Sequence, residues 1–117
     1  MTGPRILIVE DEATVAMLLE AYLEELGCTV VAIATNVQQA IRLATEEVFD
    51  LAFLDVNLNG QRAHALPGVL NRRGKPFAFV TGYGQQGVLS TYADAPLISK
   101  PFSKDMISDV LELFRQT

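Results

Sequence analysis

Four short stretches of this 117-residue chain hold residue types suited to chemistry on a charged group. They are Glu10-Asp11-Glu12, Asp55-Val56-Asn57, Thr81-Gly82 and Lys100-Pro101-Phe102. Each follows a short strand-like run: Ile6–Val9, Leu51–Leu54, Phe77–Val80 and Pro96–Ser99. Carboxylates crowded at one place repel by roughly 4 kcal/mol per pair at 4 Å and an effective dielectric of 20, so they call for a cation. Magnesium suits such a place, because it keeps several waters and takes one or two carboxylates plus a phosphate oxygen. A carboxylate can also accept a phosphoryl group covalently. The transferred group carries charge on three oxygens, which a metal, an ammonium such as Lys100 and a hydroxyl such as Thr81 can bind. Taken singly, Asp11 or Glu12 is an ordinary helix N-cap, Thr81 a strand residue and Lys100 a solvated loop charge. Four strands delivering matching groups at the same end set those readings aside.

The elements that must position these residues are legible. A fifth strand is expected at Val30–Ile33, and three of the five runs are continuously apolar, as parallel strands covered on both faces are. Helix periodicity appears at Val15, Leu18, Leu19, Tyr22, Leu23 and Leu26, with Gly27 as the stop. It recurs at Val37, Ala40, Ile41 and Ala44, and at Ile107, Val110, Leu111 and Phe114, where Ser103 is placed to cap. A shorter helix is expected over about Pro67 to Arg73, ended by Gly74. The segment from Gly84 to Ala95 is the weakest helix, because Gly84, Gly87, Ser90 and Thr91 are poor helix formers. Five strands alternating with five helices give a doubly wound three-layer α/β domain. Ligands on such sheets bind outside the carboxyl ends of the strands, where the four stretches lie.

Composition narrows the function classes. The chain is half apolar and carries a net charge of −5, with one cysteine, Cys28. Its length fits a single domain over residues 1–117, and one thiol excludes an internal disulfide framework. No apolar stretch approaches the ~20 residues needed to cross a bilayer, and no signal peptide opens the chain, so a cytoplasmic protein is expected. There is no dense basic stripe, so direct nucleic-acid binding is not expected. Arg72, Arg73 and Lys75 form the only basic cluster, where a helix dipole favours cations. Gly82-Tyr83-Gly84-Gln85-Gln86-Gly87 fits a dinucleotide fingerprint but follows the wrong strand. His64 lacks a second histidine for metal binding, and Cys28 reads as a small buried hydrophobe.

The ordered set resembles a response-regulator receiver domain of the CheY-like family, across essentially the whole chain. Ile6 to Glu12 (ILIVEDE) is similar to the acidic first-strand motif, with Glu10 where many members carry Asp. The segment Pro76 to Tyr83 (PFAFVTGY) is similar to the P-F-x-F-A-T-G-Y signature of a subgroup rich in single-domain receivers, with Val80 replacing the usual Ala. The resemblance implies a flavodoxin-like strand order 2-1-3-4-5 and phosphorylation of Asp55. It implies Mg2+ held by Asp11, Asp55 and the backbone carbonyl of Asn57, with Glu10 assisting, directly or through water. Thr81 and Lys100 would bind phosphoryl oxygens, and Pro101 would follow the lysine through a bond that is usually cis.

Implied partners are a histidine kinase, of the HWE or a related class, and a downstream signalling protein, with no membrane contact. Two departures stand out. The aromatic switch common on strand five is replaced by Leu97 and Ile98, and the loop after Asp55 lacks its common proline. A switch is therefore expected in the segment after Thr81, anchored by Tyr83 and ordered on phosphorylation. The chain is read as catalysing only its own phosphorylation and dephosphorylation. Alternatives are a receiver fragment of a longer regulator with an output domain, and an aspartyl-phosphate hydrolase. The second is disfavoured because Asn57 stands where a general acid is needed.

Overall fold

The computed structural model describes residues 3–55, 57–58, 61–62, 65–82 and 95–115. Strands β1 (Arg5–Val9), β2 (Thr29–Ala34), β3 (Leu51–Leu54), β6 (Phe77–Thr81) and β7 (Leu97–Ser99) form one parallel sheet in the order β2-β1-β3-β6-β7. Numbered within that sheet alone, this is the flavodoxin-like order 2-1-3-4-5. Two-residue strands β4 (Asn57–Leu58) and β5 (Gln61–Arg62) pair as an antiparallel hairpin after β3, which the sequence reading did not anticipate.

Helices α1 (Ala13–Glu25) and α4 (Lys104–Arg115) cover one face of the sheet, and α2 (Val37–Glu46) and α3 (Ala65–Arg72) the other. The central strands alternate between the two cores. Ile6, Ile8, Leu51, Phe53, Ala78 and Val80 meet Leu19, Leu23, Ile107 and Leu111. Leu7, Val9, Ala52, Leu54, Phe77 and Phe79 meet Ala40, Ala44, Leu66 and Leu70 on the opposite face. Each strand residue thus has a buried side to fill, which is why the runs are continuously apolar. The segment 83–94, with the expected weak helix and Tyr83, lies outside the described residues, as does His64. Among the described residues no helix is long and apolar enough to cross a membrane.

The helix ends follow local chemistry. Asn36 caps α2 by accepting from the Gln39 N–H at 2.8 Å, while Gln39 Oε1 accepts from the Thr35 N–H at 2.9 Å. Gly27 ends α1 at φ +91°, in the left-handed region that favours glycine. The Ser103 hydroxyl accepts from the Met106 N–H at 3.3 Å, so it caps α4 as expected. Two expectations need correction. Leu18 is 43% exposed, because Ala16 points inward in its place. Helix α3 begins at Ala65, two residues before the expected start, while Pro67 keeps its expected place in the first turn, where no intrahelical N–H is needed.

Candidate functional site

The acidic residues reach the carboxyl edge because the strand ladders continue one residue past β1 and β3. The Glu10 N–H donates to the Ala34 carbonyl at 2.9 Å, and the Asp55 N–H to the Val9 carbonyl at 2.8 Å. Glu10 and Asp55 therefore stand on adjacent central strands, and they are the only buried charged side chains among the described residues, 1% and 5% exposed. Asp11 follows, half-buried, before Glu12 opens α1. Glu12 sits at the N-cap position, yet its side chain makes no capping hydrogen bond.

Lys100 arrives from the end of β7 and gathers these acids. Its Nζ stands 2.8 Å from Glu10 Oε1, 2.9 Å from Asp55 Oδ2 and 3.4 Å from Glu12 Oε1. The Lys100–Pro101 peptide bond is cis, and Pro101 itself is exposed. Glu10 Oε2 also accepts the Glu12 N–H at 3.1 Å, so both of its oxygens have protein donors. Burial is the main influence on Glu10. Despite the lowering effect of Lys100 and the Glu12 N–H, its pKa is pushed up to about 7, with the Asp55 charge adding to the rise. Burial opposes the charge on Lys100, but hydrogen bonds and charges from Glu10 and Asp55 outweigh it and raise its pKa. One ammonium cannot neutralise this many carboxylates, so the strain of burial falls on Glu10.

One carboxylate oxygen from each of Glu10, Asp11 and Asp55 lies within 4.8 Å of the others. Three carboxylates gathered this closely are residues that could hold one Mg2+ ion between them. Hard oxygen donors with excess negative charge fit that ion in kind as well.

The expected residues divide as follows. Glu10, Asp11, Asp55 and Lys100 come together. Thr81 lies at the carboxyl end of β6, paired in register with Ser99 of β7, and Asn57 opens the hairpin two residues after Asp55. The sequence reading grouped Glu12 with the acids but gave it no role. Its place one residue beyond Asp11, at a helix start facing the lysine strand, was the available signal. Of the basic cluster, Arg72 stands in the last turn of α3 as expected, while Arg73 takes a further task. Arg73 Nη1 donates to the Ala44 carbonyl and, at 3.1 Å, to the Glu47 carbonyl. It therefore closes the end of α2, while its guanidinium lies 5.5 Å from the Phe49 ring centre. Cys28 is buried as expected, and burial raises its pKa.

The description "Response regulator receiver domain" belongs to the family model that matches residues 6–112. The chain belongs to this family. It is 31% identical over 127 residues to the transcriptional regulatory protein PdtaR of Mycobacterium tuberculosis (strain CDC 1551 / Oshkosh), covering 97% of this chain and 62% of PdtaR. It is 33% identical over 110 residues to the phyllosphere-induced regulator PhyR of Methylorubrum extorquens, covering 91% of this chain and 41% of PhyR. The receiver thus spans less than two thirds of either regulator. Among solved structures, SdrG from Sphingomonas melonis Fr1 superposes with a TM-score of 0.84 at 38% identity, covering 92% of both chains. PhyR from Brucella abortus gives 0.79 at 29% identity, covering 98% of this chain and 50% of that one.

Proposed function

We propose that this receiver is a phosphoacceptor that takes a phosphoryl group from a histidine kinase onto Asp55 and changes its partner binding in consequence. The carrying observation is the buried Asp55 carboxylate, 2.9 Å from Lys100 and grouped with the oxygens of Glu10 and Asp11. In the transfer, the P–N bond of a phosphohistidine protonated on its other ring nitrogen breaks as a P–O bond forms to an Asp55 oxygen, and the kinase imidazole leaves neutral, keeping that proton. Lys100 binds a phosphoryl oxygen, and Thr81 offers a hydroxyl from the neighbouring strand end. Asp11, Asp55 and the Asn57 backbone carbonyl would hold Mg2+, assisted by Glu10, and the ion would supply neutralisation of the phosphoryl oxygens.

The chain acts on no outside phosphoester, because Asn57 has no acid proton to give a leaving group. A kinase of the HWE or a related class is proposed as donor on the PFAFVTGY motif, and the cytoplasm as the place of the reaction. A solved structure of SdrG from Pseudomonas melonis Fr1, 38% identical, is described as its BeF3-activated conformation, which recommends beryllofluoride as the probe.

The test is magnesium-dependent binding of beryllofluoride, together with labelled phosphotransfer from a kinase, in wild type and Asp55→Ala. Both signals should vanish in the variant. Phosphoryl uptake by Asp55→Ala at the wild-type rate would overturn the assignment.

A further inference from the structure

An ammonium has three N–H donors, and in this structure three carboxylates surround that of Lys100. The three partners are not equivalent. Glu10 is buried, has both oxygens committed and approaches to 2.8 Å, so it fixes the lysine in place. Asp55, at 2.9 Å, is the group that would bear the phosphoryl. Glu12 is different, with its side chain 61% exposed and its oxygen at the longest distance, 3.4 Å. It caps no helix end and lies outside the acidic group that could share a metal. Its one described side-chain contact is with Lys100.

We infer that Glu12 is a positioning residue that occupies, in the unphosphorylated protein, the Lys100 donor a phosphoryl oxygen must take. This rests on the phosphoacceptor reading above and adds a competitor to it. An incoming anion has to displace one of the three carboxylates. Glu12 is the cheapest to displace, because its end of the pair is open to solvent, which replaces so long a contact readily. Once displaced, Glu12 swings into water while Glu10 keeps the ammonium beside Asp55. Glu12 thereby sets how readily the site accepts its charged ligand, without touching that ligand.

The test uses the full chain with saturating magnesium and beryllofluoride as the probe. Glu12→Gln keeps the size and removes the charge, and Glu12→Asp keeps the charge but shortens the reach. Both should bind beryllofluoride about two- to fivefold more tightly than wild type, the range an exposed pair allows. Tighter binding by Glu12→Gln with wild-type binding by Glu12→Asp would show only a general charge effect and would overturn the inference, as would no change in either. The second readout is the 1H–15N signal of the Lys100 ammonium. It should differ between wild type and both variants in the free protein, and converge once beryllofluoride is bound. An identical free-state signal in all three would overturn the contact. If wild type binds no beryllofluoride, or Asp55→Ala still binds it, the phosphoacceptor reading itself fails and takes this inference with it.

Discussion

Replacing Glu10 with glutamine separates the cost of burying a charge from the benefit of its hydrogen bonds. In the folded protein the Glu10 pKa is about 7, against 4.5 for an ordinary glutamate. Below the lower value both folded and unfolded chains hold the proton, and burial of the charge costs nothing. Between the two values the folded chain keeps a proton that the unfolded chain has lost, so stability falls as pH rises. Above about pH 7 both are ionised and the full cost is present. At about 1.4 kcal/mol per pH unit, the interval amounts to about 3 kcal/mol.

Glutamine escapes this cost but loses one acceptor, since Glu10 serves both the Lys100 ammonium and the Glu12 N–H. That loss is worth about 1 kcal/mol and does not vary with pH. Lys100 stays charged across the interval, because its own pKa is raised. Glu10→Gln should therefore be the less stable protein near pH 4.5 and the more stable by about 2 kcal/mol at pH 8, with the two curves crossing near about pH 5. Urea unfolding in a chelator, at half-unit steps of pH, measures this directly. A stability difference that stays constant from pH 5 to pH 8, or a wild type that is the more stable at pH 8, would refute the burial argument.

Asp11→Asn should raise the metal-free unfolding midpoint by about 1–2 kcal/mol, because it removes one charge from the cluster, and should weaken the stabilisation that magnesium gives. A chelator-treated variant less stable than wild type would count against crowding as the cause. Arg73→Ala should lose about 1–2 kcal/mol in urea unfolding, from two carbonyls left without their donor at the end of α2 and a lost contact with Phe49. A change below about 0.3 kcal/mol would show that water serves those carbonyls equally well.

Much of the fold was legible because the strands of a covered parallel sheet have to be apolar on both faces. Leu51–Leu54 is the same run in the sequence and in the sheet, and Phe77–Thr81 differs from its expected bounds by a single residue. Helix caps read equally well where one side chain does the work, as at Ser103. Leu18 misled because its periodicity fits the buried stripe as well as its neighbours do, and packing alone turns Ala16 inward instead. The hairpin at Asn57–Leu58 and Gln61–Arg62 was missed because two-residue strands have no periodicity to detect. At the site, residue types and strand ends located Glu10, Asp11, Asp55 and Lys100. The distribution of protons and contacts among them was not legible, since it depends on which carboxylates lose their water.

That distribution follows from where the backbone stops. A carboxylate at a strand end on the surface would turn to solvent and leave its neighbours alone. Here the sheet ladder runs one residue further at both central strands, so Glu10 and Asp55 are still held by Ala34 and Val9 when their side chains begin. They cannot separate without breaking hydrogen bonds in the most buried part of the sheet. Repulsion that would relax elsewhere is kept, and it makes the site receptive to a cation and leaves Lys100 shared among rivals. The same rigidity explains why Glu12, at the N-cap position just before α1 and free of the ladder, is the partner able to give way.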